Sequence, residues 1–152
     1  YFHSMGRFRL GWYSDLYFSN RDFFGSYTAT MLFANPFQPL PEMKTLFMPQ
    51  YRAHQYAGAG LKSIFMIRDN FDIRAEAYLC QPVRDITMGP SGIYATYGPW
   101  LRSRYFVASA GLVFHSPVGP VAITASYYDK YDEPFMLSFY FGYILFNPKA
   151  VN

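Results

Sequence analysis

The first question is whether the nucleophiles and bases of this chain are spaced for catalysis. A nucleophilic serine of the elbow type needs a Gly-x-Ser-x-Gly turn that sets its hydroxyl beside a base. No such pentapeptide occurs in the 152 residues. Ser91 lies in "GPSGIY", which has the wrong spacing and is typical of a turn. His115 and Ser116 are neighbours that point to opposite faces of an extended segment. The sequence therefore predicts that this chain is not itself an enzyme.

Residue types that bind metals and cofactors are equally sparse. His3, His54 and His115 are far apart in the sequence and have no further histidine or carboxylate at ligand spacing, and Cys80 is the only cysteine. The "GAG" at 58–60 lacks the remaining glycine of a nucleotide fingerprint, and it favours a bend or the close packing of a neighbour. We expect no metal site and no cofactor.

Composition separates this chain from an ordinary soluble domain. Aromatic residues make up 22% and charged residues only 15%, against about 25% charged residues in typical domains. No stretch approaches the roughly 18 uninterrupted apolar residues of a spanning helix, which excludes a helical membrane protein. The length suits one domain over residues 1–152. The basic residues are scattered, so we expect no nucleic acid as a partner.

The acidic loop with Asp129, Asp132 and Glu133 is predicted to be hydrated, with recruitment of calcium or other bridging cations as the alternative.

Alternation of polar and apolar residues with a period of two runs through the chain and indicates β-strands. In "FDIRAEAYLC", Phe71, Ile73 and Leu79 share one face, and Arg74 and Glu76 lie on the other. Strands are predicted over residues 7 to 18, 23 to 34, 51 to 68, 71 to 81, 104 to 115, 119 to 128 and 135 to 146.

Loop and strand lengths predict an antiparallel transmembrane β-barrel. The connections "SNRD", "DN" and "SPVG" are short, whereas residues 35–50 and 82–103 form long, Pro-rich loops, and this asymmetry is typical of outer-membrane barrels. Strands of about 11 residues, tilted about 40°, project roughly 28 Å and cover an apolar band of about 25 Å. Aromatic residues cluster at the strand ends, where girdles form. A soluble antiparallel sandwich is the alternative that alternation alone leaves open.

In a barrel, the polar side chains line the lumen and the apolar ones contact lipid. The predicted lumen residues are Arg7, Arg9, Asp15, Asp72, Arg74 and Glu76. Their charges either tune a pore, hold a plug through ion pairs, or only provide the polar interior that any such barrel has. The predicted lipid-facing residues are Phe71, Ile73, Leu79, Leu137, Phe139, Phe141, Tyr143 and Leu145, together with Val121, Ile123, Ala125 and Tyr127. A slip by one residue is disfavoured, because a midplane arginine facing lipid costs about 2–4 kcal/mol.

Strand parity predicts that the barrel extends beyond this chain. Bacterial single-chain barrels have an even number of strands, and seven are predicted here. If the short turns are periplasmic, the first strand runs inward, "YFHSMG" belongs to an outer loop, and at least one strand of the same polypeptide precedes Tyr1.

Three stretches resemble a known family: "LFMPQYRAHQYAGAGLKSIF", "NFDIRAEAYLCQP" and "SPVGPVAITASYYDKYDEPFMLSFYFGYILFN". Together they are similar to the carboxy-terminal barrel of Bacteroidetes patatin-like phospholipases, within the outer-membrane assembly, or bacterial surface antigen, superfamily. "FYFGYILF" resembles the terminal strand of that superfamily. The tail "PKAVN" departs from a strict terminal-aromatic assembly signal.

The resemblance implies a parent protein with an amino-terminal patatin hydrolase, a small periplasmic linker domain and a barrel of about 16 strands. This chain is then the carboxy-terminal half of that barrel, about seven to eight strands, without the patatin domain. Its expected role is to anchor or translocate the hydrolase in the outer membrane of a Gram-negative bacterium. Its expected partners are outer-membrane lipid, the upstream strands and, at the level of the family, a second copy in a homodimer. The alternatives are an independent assembly or translocation barrel and a soluble β-sandwich binding module.

Overall fold

The computed structural model of this chain describes residues 2–142. Within them, seven strands form one antiparallel sheet in which each pairs with its neighbours in chain order. These strands are β1 (Phe2–Met5), β2 (Phe8–Phe18), β5 (Gln55–Arg68), β6 (Phe71–Pro82), β9 (Tyr105–Ser116), β10 (Gly119–Tyr128) and β11 (Phe135–Phe141). No helix among these residues is long and apolar enough to cross a membrane.

Smaller elements lie in the two long connections of the sheet. Residues 19–54 hold the helix α1 (Tyr27–Phe33), the strand pair β3 (Asn35–Pro36) and β4 (Arg52–Ala53), and two 3-10 helices, Pro41–Lys44 and Pro49–Tyr51. Residues 83–104 hold a second strand pair, β7 (Arg84–Met88) and β8 (Ala95–Trp100).

The prediction of a mostly antiparallel β-structure is confirmed, but the strand predicted over residues 23 to 34 is wrong. Residues 27–33 form α1, because Ser26 caps the helix by accepting a hydrogen bond from Ala29 N at 3.2 Å. The helix ends at Phe33, and its C-cap Ala34 has an extended backbone that leads into the Asn35–Pro36 step, where proline restricts the residue that precedes it. "SNRD" is therefore part of a long connection and not a turn. The other six predicted strands are present, and the end of the last lies outside the described residues.

The beginning of the chain also differs from its prediction as an outer loop. Residues 2–5 form β1, and Gly6, with φ of 61°, lets the chain turn back into β2. β2 therefore runs opposite to its predicted direction, away from the end of the sheet where turns are short. Turns at 6–7, 69–70 and 117–118 share that end, and connections 19–54, 83–104 and 129–134 share the other. We call these the short-turn end and the long-loop end.

Candidate functional site

The two faces of the sheet are inverted relative to a water-soluble sheet. Ile73 lies between Phe65 and Leu112 in adjacent strands, and Phe139 lies opposite Ile123. Ile73 is 38% exposed and Phe139 is 66% exposed. A contiguous exposed apolar surface marks an interaction site, whereas isolated apolar residues on a surface are ordinary. We call this surface the apolar face, and its large exposed side chains are Phe8, Leu10, Trp12, Leu16, Phe18, Leu61, Phe65, Ile73, Leu79, Phe106, Leu112, Phe114, Ile123, Phe135, Leu137, Phe139 and Phe141.

The residues predicted to contact lipid lie on the apolar face as far as the structure describes them. Phe71 is half-buried there, and the exposed members are Ile73, Leu79, Leu137, Phe139 and Phe141. Val121, Ile123, Ala125 and Tyr127 share this face through their pairing with β9 and β11. Tyr143 and Leu145 lie outside the described residues. Contact with lipid itself remains a prediction.

The opposite surface, which we call the polar face, carries the predicted lumen charges. Asp15, Asp72, Arg74 and Glu76 all lie on it and are buried or half-buried. Arg9 belongs to the same side of β2 but is exposed near the short-turn end, and Arg7 is exposed in the turn that leads into β2. Four of the six predicted residues are therefore buried or half-buried, and the two arginines are exposed.

Residues 35–54, which we call the cap, cover part of the polar face. The cap folds from the long-loop end back over the polar face and forms the main buried core with it. Its buried apolar members are Phe37, Leu40, Met43, Met48, Tyr51 and Ala53, which pack with Tyr56, Tyr78, Cys80, Tyr105, Val107 and Tyr128 of the sheet.

The glycines at 58 and 60 make this packing possible. A Cβ at Gly58 would lie 2.5 Å from the Phe37 ring of the cap, and one at Gly60 would lie 2.8 Å from the Ala77 carbonyl oxygen and against the Tyr78 ring. Close packing by a neighbour, one of the two roles predicted for "GAG", is therefore confirmed.

Acidic side chains on the polar face are each engaged by tyrosine hydroxyls or by cations. Tyr13 and Tyr56 donate to Asp15 Oδ2 at 3.2 and 3.0 Å. Tyr78 donates to Glu76, which also pairs with Lys62 Nζ at 3.3 Å. Buried polar groups are costly unless they are paired, so these contacts let a charged surface lie beneath the cap.

A second cluster lies nearer the short-turn end. Asp72 accepts from Arg74 Nε at 2.7 Å, and its other oxygen lies 2.6 Å from His115 Nε2. His115 is thus paired with Asp72, whereas Ser116 donates to the Gly119 carbonyl. This arrangement does not assemble a serine and histidine pair.

Hydrogen bonds to two carboxylates, those of Glu42 and Asp129, connect the cap to β10, β11 and the connection between them. Glu42, only 8% exposed, accepts from Ser126 Oγ with one oxygen and from the Tyr140 hydroxyl at 3.1 Å with the other. Tyr51 of the cap donates to Asp129 Oδ1 at 3.0 Å. Burial, more than the nearby Asp129 charge, raises the pKa of Tyr51 above its ordinary range. The contact of Asp129 with the cap differs from the hydrated role predicted for its loop.

His54 lies where the cap joins β5. Its side chain is buried, its Nδ1 lies 2.9 Å from the Tyr97 hydroxyl, and its ring packs against Phe23. Burial, followed by the positive charge of Arg21, lowers the pKa of His54 below its ordinary value. The neutral imidazole is therefore the form that this position favours.

We expect the cap to lose stability as the pH falls, because unfolded His54 binds a proton more readily than folded His54. The stabilisation is fully present above the unfolded pKa of about 6.5 and is lost progressively below it. Thermal unfolding measured between pH 8 and pH 5 checks this. The variant His54→Gln should flatten the profile over that range. Parallel profiles for the two proteins would show that another group controls the pH response.

The cap leaves part of the polar face uncovered. A cavity of about 470 Å³ lies between the tip of the cap, at Leu40–Glu42, and strands β6, β9, β10 and β11. Gly111 and Ala122 line it together with the polar side chains of Arg74, Glu76 and His115. The polar face therefore holds space for water or another occupant beside the cap.

The chemistry of the remaining candidates is limited. Ser91 lies in the turn of the β7–β8 hairpin, where Gly92 N donates to the Gly89 carbonyl at 2.9 Å, as predicted for a turn. Cys80 is buried on the polar face. Among residues 2–142, no group of three or more His, Cys, Asp or Glu is placed to hold a metal ion.

Sequence reasoning missed the residues that hold the cap. Glu42 lies in a Pro-rich segment that was predicted to be a long loop, and Tyr51 lies in a 3-10 helix where the strand 51 to 68 was predicted to begin. Each contacts a residue far away in the sequence. The available signal was the apolar spacing of Phe37, Leu40 and Met43, which is unusual for a solvated loop. Comparison with known proteins adds no assignment, since no family model, curated protein or solved structure matches this chain.

Proposed function

We propose that this chain is a segment of an outer-membrane β-barrel that anchors or translocates an upstream patatin-like lipid hydrolase and is not itself catalytic. The observation that carries the proposal is the inverted sheet, whose apolar face is exposed and whose charged face is partly covered by the cap. Water favours the opposite arrangement, whereas hydrocarbon on the outside and a polar lumen within favour this one. The link to a hydrolase is supported by the family resemblance of the three sequence stretches.

Strand length supports a membrane location. β6 and β9 each contain 12 residues. At about 3.3 Å per residue and a tilt of about 40°, such a strand projects roughly 30 Å, which covers the apolar band of about 25 Å. Large exposed apolar side chains occur on each of the paired strands β2, β5, β6, β9, β10 and β11.

The position of the cap supports the proposal of an anchor whose lumen is plugged. It folds inward onto the polar face and is tied there by Glu42 and Tyr51. Barrels of the outer membrane are often plugged by loops that fold into the lumen. The cap then closes this half of the lumen while the parent hydrolase is held at the membrane.

The cavity beside the cap favours a second candidate, an independent assembly or translocation barrel. A passage through the lumen needs polar space, and the cavity at Arg74 and His115 supplies some of it. A soluble sandwich module instead requires a second layer over the apolar face. The sheet carries no such layer among the described residues.

Cysteine accessibility in native membranes tests the membrane location with a matched pair. Ile93 in the β7–β8 hairpin and Ile123 on the apolar face are 57% and 49% exposed. In a Cys80→Ala background, we expect a membrane-impermeant maleimide to label Ile93→Cys and to leave Ile123→Cys unlabelled, because lipid shields the thiol and keeps it protonated. Denaturation in urea and detergent should then expose both thiols equally. Equal labelling before denaturation would contradict the proposal.

A further inference from the structure

A second pocket lies at the long-loop end, outside the polar face and the cap core. It has a volume of about 170 Å³ and is lined by His54, Gln55, Val83, Arg84, Tyr97 and Trp100. The pocket is formed where the start of β5 meets the β7–β8 hairpin. Trp100 is exposed, so the pocket opens to the surroundings at this end.

Arg84 is the polar group that sets the chemistry of this pocket. Its guanidinium carbon lies 3.7 Å from the centre of the Trp100 ring and 5.5 Å from the centre of the Tyr97 ring. Two aromatic rings hold the cation in place, because a guanidinium stacks on aromatic faces and is only weakly hydrated. The side chain is thus positioned before any ligand arrives.

The hydrogen-bonding capacity of Arg84 is incompletely used. Its Nε is buried and has no hydrogen-bond partner among residues 2–142. The neighbouring carboxylate, Asp85, accepts from Ser103 and from Tyr105, the latter at 2.5 Å. A buried donor without an acceptor is costly in a folded protein. An acceptor that enters the pocket beside Arg84 would satisfy this donor.

The surrounding charges favour an anionic ligand. The connection 83–104 contains Arg84, Arg102 and Arg104 against one acidic residue, Asp85. Arg21 adds positive charge that acts on His54, which lines the pocket. The Gln55 amide, which also lines the pocket, donates one N–H to the Ser19 carbonyl oxygen at 3.0 Å and has a second N–H that can donate a further hydrogen bond.

We infer that this pocket binds a phosphate group, held by the Arg84 guanidinium between Tyr97 and Trp100. Arginine is suited to this role because its planar fork of N–H donors matches the oxygens of a phosphate. The phosphate comes either from a lipid headgroup or from a soluble phosphate ester. The site goes beyond the proposed function and does not require that the apolar face contact lipid, so the two proposals fail separately.

Fluorescence of Trp100 in the intact protein in detergent micelles tests the site. The Trp100 signal is the part of the fluorescence change on ligand addition that the variant Trp100→Phe does not show. We expect a saturable response to inorganic phosphate that is about tenfold weaker or more in Arg84→Gln. Arg104→Gln removes the same charge from the same connection, where Arg104 contacts Gln81, and should bind as the unmodified protein does. Arg84→Lys keeps the charge without the fork and should bind with intermediate strength.

Two further arms identify the source of the phosphate. A stronger response to lipid A in mixed micelles than to glucose 1-phosphate assigns the site to a lipid headgroup. Similar responses assign it to soluble phosphate esters. The inference is overturned if no saturable response occurs with any of the three probes, or if Arg84→Gln and Arg104→Gln weaken binding equally while circular dichroism shows both variants folded.

Discussion

Leu112→Arg is expected to prevent stable insertion of the protein, although it replaces a side chain that the structure leaves 46% exposed. Leu112 lies on the central strand β9, between Ile73 and Ile123 on the apolar face. An arginine that faces hydrocarbon near the midplane costs about 2–4 kcal/mol, a large fraction of the stability of most folded domains. Urea titration in lipid vesicles, with the heat-dependent gel shift of folded barrels as the readout, measures the loss.

The control for this prediction is Val118→Arg. Val118 is even more exposed but lies in the turn at 117–118 at the short-turn end, where an arginine meets water. A surface substitution of that kind changes stability by about 0.5 kcal/mol or less. If the protein were soluble, both substitutions would be neutral, since both sites would already face water. Equal stability of the two variants would therefore contradict the membrane location of the apolar face.

Glu42→Ala is expected to release the cap from strands β10 and β11 and to raise ion flux through the parent barrel. The substitution removes the acceptor for Ser126 and Tyr140, and the loss for the buried Ser126 hydroxyl alone costs about 1–3 kcal/mol. Conductance in a planar bilayer measures the opening of the lumen. Tyr140→Phe removes one of the two hydrogen bonds and should give a smaller increase.

Glu133→Ala is the matched control for the release of the cap. Glu133 is an exposed carboxylate in the connection 129–134 at the same end of the sheet, so its removal changes the net charge without touching the cap. We expect its conductance to equal that of the unmodified protein. If Glu42→Ala and Glu133→Ala behave alike, Glu42 does not hold the cap in place.

The faces of the sheet were predictable because period two is local. Ile73 and Arg74 are adjacent in the sequence and must point to opposite faces in a strand, so the alternation in β6 places each of them without any knowledge of its neighbours. The pairing of β5 with β6 and of β9 with β10 is local in the same way, because two-residue turns at 69–70 and 117–118 join these strands.

The helix α1 shows where a local pattern misleads. Residues 23–34 contain enough aromatic and β-branched residues to suggest a strand, and short apolar runs do not distinguish the two structures. Ser26 was the readable signal, since a serine that begins an apolar run is a common N-cap. The short strand β1 shows no alternation long enough to detect, and it is held by its pairing with β2.

The candidate site was less predictable because its contacts are distant in the sequence. Glu42 and Ser126 are 84 residues apart, and Tyr51 and Asp129 are 78 residues apart. A single sequence does not indicate which of two such distant positions contact each other. The polar face that the cap covers was predicted, whereas the presence of a cap depends on how a Pro-rich connection folds in three dimensions.

The most direct test of the central claim compares the two tryptophans in the membrane. Trp12 lies on the apolar face and Trp100 lies at the long-loop end, and they are 59% and 63% exposed. Single variants, Trp12→Phe and Trp100→Phe, isolate the contribution of each to the fluorescence. In vesicles of lipids brominated on their acyl chains, the account predicts strong quenching of Trp12 and weak quenching of Trp100, with the reverse order for aqueous iodide. If iodide quenches Trp12 as readily as Trp100 and brominated lipid leaves it unaffected, the apolar face does not contact hydrocarbon.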